Sequence, residues 1–326
     1  MDTLPTIAEV QAAAKRIAGH AVRTPLLANP LLDELAGARV LLKCESLQRT
    51  GSFKFRGAYN AIAAMEPAAR ERGIVAVSSG NHAQAIAEAA RLFGVRSTIV
   101  MPADAPALKR QRTERSGGRV ITFDRKSEDR DAVAAHVLAE HGGILVHPYN
   151  DPNVIAGQGT IGLEIAEQCA ELRLVPDAVL VPCGGGGLSA GVGLAVRNEV
   201  PGVGMYLVEP AGFDDYGRSL AESTAVSNKA TAGSVCDALL APSPGAIGFA
   251  INRANHAHGI VVSDEEALAA VAFAFRELKL VVEPGGAVGL AAVLAGRPPD
   301  LAGRTVVVVL SGGNIKAATL QRALAA

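Results

Sequence analysis

Residues 178–196 read AVLVPCGGGGLSAGVGLAV, without a charged side chain. The length and hydropathy suit a membrane span, but Pro182 and four consecutive glycines, Gly184 to Gly187, interrupt it. A lipid-exposed helix broken there would leave backbone amides unsatisfied. The stretch therefore reads as a strand from Val179 to Pro182, a glycine loop and a helix. Strand, loop, helix is the repeating unit of an α/β fold, and it recurs outward in both directions. Short β-branched runs occur at Ile74 to Val77, Thr98 to Met101, Val120 to Phe123, Met205 to Glu209 and Thr305 to Leu310. Ala-rich helical patterns separate them. Thr6 with Glu9, and Ser263 with Glu266, have the spacing of capping boxes. Gly94 is placed to stop a helix running from His82 to Phe93. The alternation predicts an α/β protein with mostly parallel sheets.

Composition narrows the function classes. The 326 residues correspond to about two domains or lobes. Lys and Arg number 31 against 32 Asp and Glu, a net charge of −1, so the basic excess of a nucleic-acid binder is absent. Aromatic residues are only 4% with no Trp, which leaves few rings for a base-stacking platform. At 49% hydrophobic and 19% charged, the chain is too apolar for disorder. Cys44, Cys169, Cys183 and Cys236 form no CxxC pair, which argues against structural zinc and a disulfide scaffold. Asp2 and Glu9 stand where a signal peptide would need an apolar run, so a cytoplasmic protein is expected.

The glycine loop is built for chemistry. Consecutive glycines let several backbone N–H groups converge on one anion at a helix N-terminus, and phosphate is the natural occupant. The bland alternative is a flexible turn. Two sharper ones compete. Gly185, Gly187 and Ala190 match G-x-G-x-x-A with Glu209 ending the next strand, the pattern of an NAD-dependent oxidoreductase. Gly187 to Gly191 also match G-x-S-x-G, with Ser189, Asp237 and His256 in the order of a hydrolase triad. Neither accounts for the segment Gln48 to Gly57, where Lys54 lies between Phe53 and Phe55. An apolar cradle lowers a lysine pKa and frees the amine as nucleophile or base.

The string SFKFRGA around Lys54 resembles the pyridoxal-phosphate lysine motif of the fold-type II enzymes, nearest to serine/threonine dehydratases and serine racemase. SSGNHAQ at Ser78 to Gln84, GGGGL at Gly184 to Leu188 and SGGN at Ser311 to Asn314 follow in the family's order. HPYNDPNVIAGQGT from His147 and VEPGGAVGLAA from Val282 are similar to further family segments. The resemblance implies a tryptophan synthase β-like fold: two open, twisted, mostly parallel sheets with helices on both faces. Residues 1–66 and 154–326 would form the large cofactor-binding lobe and residues 67–153 the small one.

It also implies roles. Lys54 would hold pyridoxal 5′-phosphate as an internal aldimine and later remove the substrate's Cα proton. Gly184, Gly185, Gly186, Gly187 and Leu188 would bind its phosphate. Phe53, Asn81, Glu283 and Ser311 would complete the cofactor site, with Asn81 on the phenolic oxygen and Ser311 at the pyridine nitrogen. Ser78, Ser79, Asn81 and His82 would grip the substrate carboxylate, helped by Arg130, and Ser79 could deliver a proton to the face opposite Lys54. Glu209, the Phe213 carbonyl and Asp215 would form a site for Mg²⁺, or Ca²⁺ or Mn²⁺. On the residues alone, His82 reads as a structural histidine, Arg130 as part of a charged helix face and residues 209–215 as an acidic turn. His256 and His258 read as surface histidines. The basic run Lys109, Arg110, Arg112 and Arg115 reads as a solvated helix.

The implied activity is dehydration and deamination of a hydroxy amino acid such as L-serine or L-threonine to a 2-oxo acid and ammonia, by a homodimer. Tyr149 is similar to dehydratases, whereas Ser79 is similar to serine racemase, and hydroxyaspartate dehydratases combine both features. Racemisation and the dehydration of 3-hydroxyaspartate are therefore alternatives. Val235 to Ala238 departs from the family's IADG, and the apolar stretch Leu239 to Pro244 could admit phenylserine.

Overall fold

The computed structural model describes residues 3–105, 107–124 and 126–325. Among them, ten strands, numbered in chain order, form two sheets. The larger has the order β1 (Leu26–Ala28), β2 (Arg39–Cys44), β10 (Thr305–Leu310), β7 (Ala178–Pro182), β8 (Gly204–Pro210), β9 (His258–Val262). Only β1, at the edge, runs antiparallel. The smaller is wholly parallel in the order β5 (Arg119–Phe123), β4 (Ser97–Pro102), β3 (Ile74–Val77), β6 (Ile144–Leu145).

Strand β10 shows why the runs behave as they do. Its Val306 to Leu310 are all buried, with Val306 opposite Val40 on one side and Ala178 on the other. A parallel strand covered on both faces needs an unbroken apolar run rather than alternation. Helix ends follow their signals. Both capping boxes close, at Thr6 with Glu9 and at Ser263 with Glu266. The helix Asn81–Phe93 begins one residue before the expected position and ends at Gly94, whose φ of 65° is left-handed.

Core clusters cover both faces of the large sheet and both faces of the small one. The helix Lys54–Ala63 packs between the helices Pro152–Glu171 and Asn81–Phe93, and its Phe55 and Ile62 share a core with Ile86 and Ile99 of the small sheet's side. The helices Pro152–Glu171 and Gly187–Glu199 meet at backbone contact. A Cβ on Gly191 would lie 2.4 Å from the Ile155 carbonyl oxygen, and one on Gly162 would lie 2.6 Å from that of Val192. No helix among the described residues is long and apolar enough to cross a membrane.

Candidate active site

In open α/β sheets the carboxyl ends of the strands and the helix N-termini beyond them hold ligands. Here those ends meet. Lys54 opens its helix, and the segment leading into it is pinned on the loop after β10. Phe53 N–H donates to the Ser311 carbonyl at 3.0 Å, Gly313 N–H donates to the Gly51 carbonyl at 2.9 Å, and Ser52 bridges Gly312. The residue Lys54 is half-buried, but its amine is enclosed: Nζ donates to the Pro148 carbonyl at 2.7 Å and lies 4.9 Å from the centre of the Phe53 ring. Burial lowers the Lys54 pKa to about 8. The lysine is desolvated as expected, but only Phe53 lies against the ammonium; Phe55, expected to share in the cradle, is turned into the core.

The glycine loop lies against the residue next to Lys54's partner. A Cβ on Gly185 would sit 2.3 Å from the Tyr149 ring, and one on Gly187 would sit 2.7 Å from the Tyr149 carbonyl oxygen. Gly186 has a φ of 84° and caps the helix Gly187–Glu199. Its Cβ would fall 2.2 Å from the Tyr216 ring. Glycine is therefore required by contact as well as by backbone. Among the described residues, no protein acceptor meets the N–H groups of Gly184, Gly185, Gly186, Gly187 or Leu188. Donors converging at a helix N-terminus suit a phosphate. Together with the lysine of lowered pKa, they fit a pyridoxal phosphate.

Asn81 stands between the sheets. Its Nδ2 donates to Glu283 Oε1 at 2.6 Å, and its Oδ1 accepts from Asn314 Nδ2 at 2.8 Å. Burial raises the Glu283 carboxyl to about 7. Ser311 is buried beside them, bonded through its backbone to Gly286 and Phe53. Ser78 Oγ accepts from the Gly80 N–H at 3.1 Å, and Ser79 is half-buried at the same turn. His82 lies deeper, 2% exposed, with Nε2 on the Val146 carbonyl at 2.9 Å and Nδ1 facing no partner. Burial, reinforced by the Lys54 charge, pushes it down to about 3, so the ring is neutral. Arg130 is exposed on the first turn of the helix Arg130–His141.

The structure speaks against both competing readings of the glycine loop and corrects the solvated reading of the basic helix. Ser189 is no exposed nucleophile: it is fully buried, donates to the Gly186 carbonyl at 3.1 Å and accepts from Asn252 at 2.9 Å. Asp237 meets Lys109 at 3.1 Å and Lys316 at 3.5 Å, and the Ser189 hydroxyl is bonded to Gly186 and Asn252 rather than to a histidine, so the triad does not form. Glu209 is unable to reach a ribose. It is fully buried, and its carboxylate accepts from the Tyr216 and Gly217 N–H groups at 2.9 and 2.7 Å. The basic helix Ala107–Arg115 forms, but Lys109 and Arg112 reach across to the large sheet's loops rather than into solvent. The acidic turn is not simply solvated either. Burial raises Glu209 to about 8 and Asp215 to about 6, each also feeling the acids around it. Asp215 Oδ2 is buried without a partner, and Phe213 is 4% exposed.

Sequence reasoning missed a buried ion network behind the lysine. Arg56 is fully buried and bonds Glu45 through Nε and one terminal nitrogen, both at 2.8 Å. It bonds Glu164 through both terminal nitrogens, at 2.6 and 2.8 Å. Lys43, also fully buried, donates to Glu164 at 2.6 Å and to the Thr24 carbonyl at 2.7 Å. Burial works against ionisation of Glu45, yet Arg56, with Lys43 and Thr24, holds its carboxyl below the ordinary range. A basic residue two positions after the lysine in SFKFRGA was the available signal.

A two-sheet α/β chain with an enclosed lysine opposite an N–H-lined glycine loop is built to hold a phosphorylated carbonyl cofactor. The family model described as pyridoxal-phosphate dependent enzyme matches residues 17–312, and the chain belongs to that family. It is 41% identical to the L-threo-3-hydroxyaspartate ammonia-lyase of Saccharomyces cerevisiae over 96% of this chain and 94% of that protein. The crystal structure of the T.th. threonine deaminase matches with a TM-score of 0.90 and 42% identity, covering 96% of this chain and 99% of that one. Maize serine racemase matches with a TM-score of 0.92 and 35% identity, covering 99% and 98%.

Proposed function

We propose that the protein eliminates water from a small β-hydroxy amino acid, releasing a 2-oxo acid and ammonia. The observation that carries this is the Lys54 amine, lowered to about 8 by burial and held on the Pro148 carbonyl. Lys54 would hold pyridoxal phosphate, and the N–H groups of Gly184 to Leu188 would bind its phosphate. When bound, that cofactor supplies an electron sink for charge left at Cα. Once the substrate's amino group has taken its place on the cofactor, the Lys54 amine would be free, and the burial that lowers its pKa favours the neutral form able to take the Cα proton. The β-hydroxyl takes up the proton that Lys54 removed and leaves as water, and the remaining enamine tautomerises and is hydrolysed by water to the 2-oxo acid and ammonia. The turn Ser78 to Gly80 and the N-terminus of the helix Asn81–Phe93 would bind the substrate carboxylate, with Ser79 as the hydroxyl at the opposite face. His82, neutral and bonded to Val146, supports this turn from beneath. Arg130 would engage the carboxylate only from the exposed side. The lobes 67–153 and 1–66 with 154–326 would close on the cleft.

A panel of serine, threonine, 3-hydroxyaspartate and phenylserine tests the reading. Purified protein loaded with pyridoxal phosphate should be yellow and release oxo acid from at least one member, and Lys54→Ala should remove both colour and turnover. Loading of cofactor-free protein should accelerate with rising pH through about 8, because the neutral amine is the reactive form. A colourless protein sinks the proposal. 3-Hydroxyaspartate is favoured within the panel by the yeast relative.

The acid pair Glu209 and Asp215 with the Phe213 carbonyl is proposed to take a hard divalent cation such as Mg²⁺, supported by the unpartnered Asp215 Oδ2. Mg²⁺ should raise the melting temperature of the protein, and Asp215→Asn should abolish the rise. No shift at millimolar Mg²⁺ would reject the site.

A further inference from the structure

Four polar side chains join the two sheets at their carboxyl ends. Arg112 donates to Asn314 Oδ1 at 2.9 Å, Asn314 Nδ2 donates to Asn81 Oδ1 at 2.8 Å, and Asn81 Nδ2 donates to Glu283 Oε1 at 2.6 Å. Arg112 and Asn81 sit on helices that follow β4 and β3. Asn314 follows β10, and Glu283 precedes the helix Pro284–Leu294. The chain of bonds thus crosses between the sheets three times.

Its direction is imposed. A guanidinium can only donate, so Asn314 must turn Oδ1 to Arg112. A backbone carbonyl can only accept, and that of Thr50 takes a second bond from Asn314 Nδ2 at 2.8 Å. Both neighbours dictate the same orientation. Thr50 itself is held at a φ of 64°. A Cβ on Gly51 would lie 2.9 Å from Asn314 Oδ1, so glycine at 51 leaves the room the amide occupies. With Asn314 fixed, its remaining N–H must meet Asn81 Oδ1, which turns Asn81 Nδ2 toward Glu283. An amide nitrogen carries two hydrogens, and Glu283 takes one.

We propose that Asn314 is a positioning residue for the active site: clamped by Arg112 and the Thr50 carbonyl, it sets the amide of Asn81 so that one Asn81 N–H stays available to the phenolic oxygen of the cofactor that Lys54 would hold. This rests on the cofactor reading above. Arg112, on the outer helix, is the first member of the relay, so the docking of that helix on the large sheet is coupled to the donor at the cofactor.

Asn314→Asp separates positioning from folding. The new carboxylate keeps the size of the amide and pairs with Arg112, which offsets part of the bonds lost at Thr50 and Asn81, so cofactor-free protein should still fold, with a lowered melting temperature. Acceptor oxygens then face the Thr50 carbonyl and Asn81 Oδ1, and Asn81 must turn over. Titration of cofactor-free protein with pyridoxal phosphate should show affinity about tenfold weaker, the scale of one lost hydrogen bond, and the visible band of the bound cofactor should move. Asn81→Ala should weaken binding similarly, and adding Asn314→Asp to it should change nothing further. Arg112→Met leaves only the Thr50 carbonyl to orient Asn314, so it should move band and affinity the same way by a smaller amount, and Arg112→Lys should restore them. Wild-type affinity and an unmoved band in Asn314→Asp overturn the proposal, as do additive effects of the two asparagine variants. Should Asn314→Asp fail to fold, the Arg112 pair carries the test alone, and an unmoved band in Arg112→Met then overturns it. Failure of wild-type protein to bind pyridoxal phosphate is a different result and sinks the cofactor reading itself.

Discussion

Arg56→Met should lower the free energy of unfolding by about 3–5 kcal/mol, the usual cost of removing one partner from a buried ion network. The methionine fills much of the arginine's volume, so little of the loss comes from a cavity. It comes from Glu45, which is 0% exposed and loses its two charge-assisted bonds to Arg56. Thr24 still donates to that carboxylate, but Lys43 turns its own ammonium to Glu164, Gln168 and the Thr24 carbonyl. Arg56→Lys keeps a charge but loses the fork that serves Glu45 and Glu164 at once, so it should recover only part of the loss. Urea unfolding of the three proteins checks this. A loss under about 1 kcal/mol in Arg56→Met would mean that solvent reaches Glu45 and that the network is worth no more than a surface pair.

The second large effect is expected at Gly186→Ala. Two penalties act together there. A left-handed backbone costs an L-residue about 1–2 kcal/mol, and the φ is 84°. The new methyl would also fall 2.2 Å from the ring of Tyr216, which is fully buried and whose hydroxyl accepts from Asn252. Overpacking of this kind adds about 1–3 kcal/mol. Gly212→Ala is the control: its φ is 81°, but nothing lies within 4 Å of its Cβ position, so only the backbone penalty of about 1–2 kcal/mol applies. Thermal unfolding should rank wild type, Gly212→Ala and Gly186→Ala in that order. Pyridoxal-phosphate titration should show loss of affinity in Gly186→Ala alone. Equal melting temperatures for the two variants would remove Tyr216 from the account.

Much of this architecture was legible in the sequence because its signals are local. A buried parallel strand announces itself as a β-branched run, and β3 spans Ile74–Val77 as read. Caps announce themselves by residue type at fixed spacing. The strands that escaped notice have physical reasons. β2 carries Lys43 near its end, a charge that looks like exposure until Glu164 is seen to meet it. β9 begins His258-Gly259, and β6 is only two residues long. The site divides in the same way. Lys54 and the glycine loop were readable because desolvation and N–H convergence follow from neighbours in the chain. The partners Arg56–Glu164 and Arg112–Asn314 lie 108 and 202 residues apart, and no local pattern states that such groups will meet. Arg112 was therefore read as part of a solvated face.

The glycine-to-backbone contact between the helices Pro152–Glu171 and Gly187–Glu199 gives the cleft two walls of unequal stiffness. On the phosphate side, main chain abuts main chain with no side chain between to change rotamer, so that wall behaves as a rigid anvil. On the opposite side, the basic helix is moored by side chains alone: Arg112 is fixed on Asn314, while Lys109 reaches the partly exposed Asp237 on a flexible stem that can re-aim without moving a backbone. Any adjustment between the two sides is therefore expected to fall on the Lys109 contact. A series of variants at residues 109–115 should retune substrate choice at little cost to cofactor retention, provided Arg112 is kept.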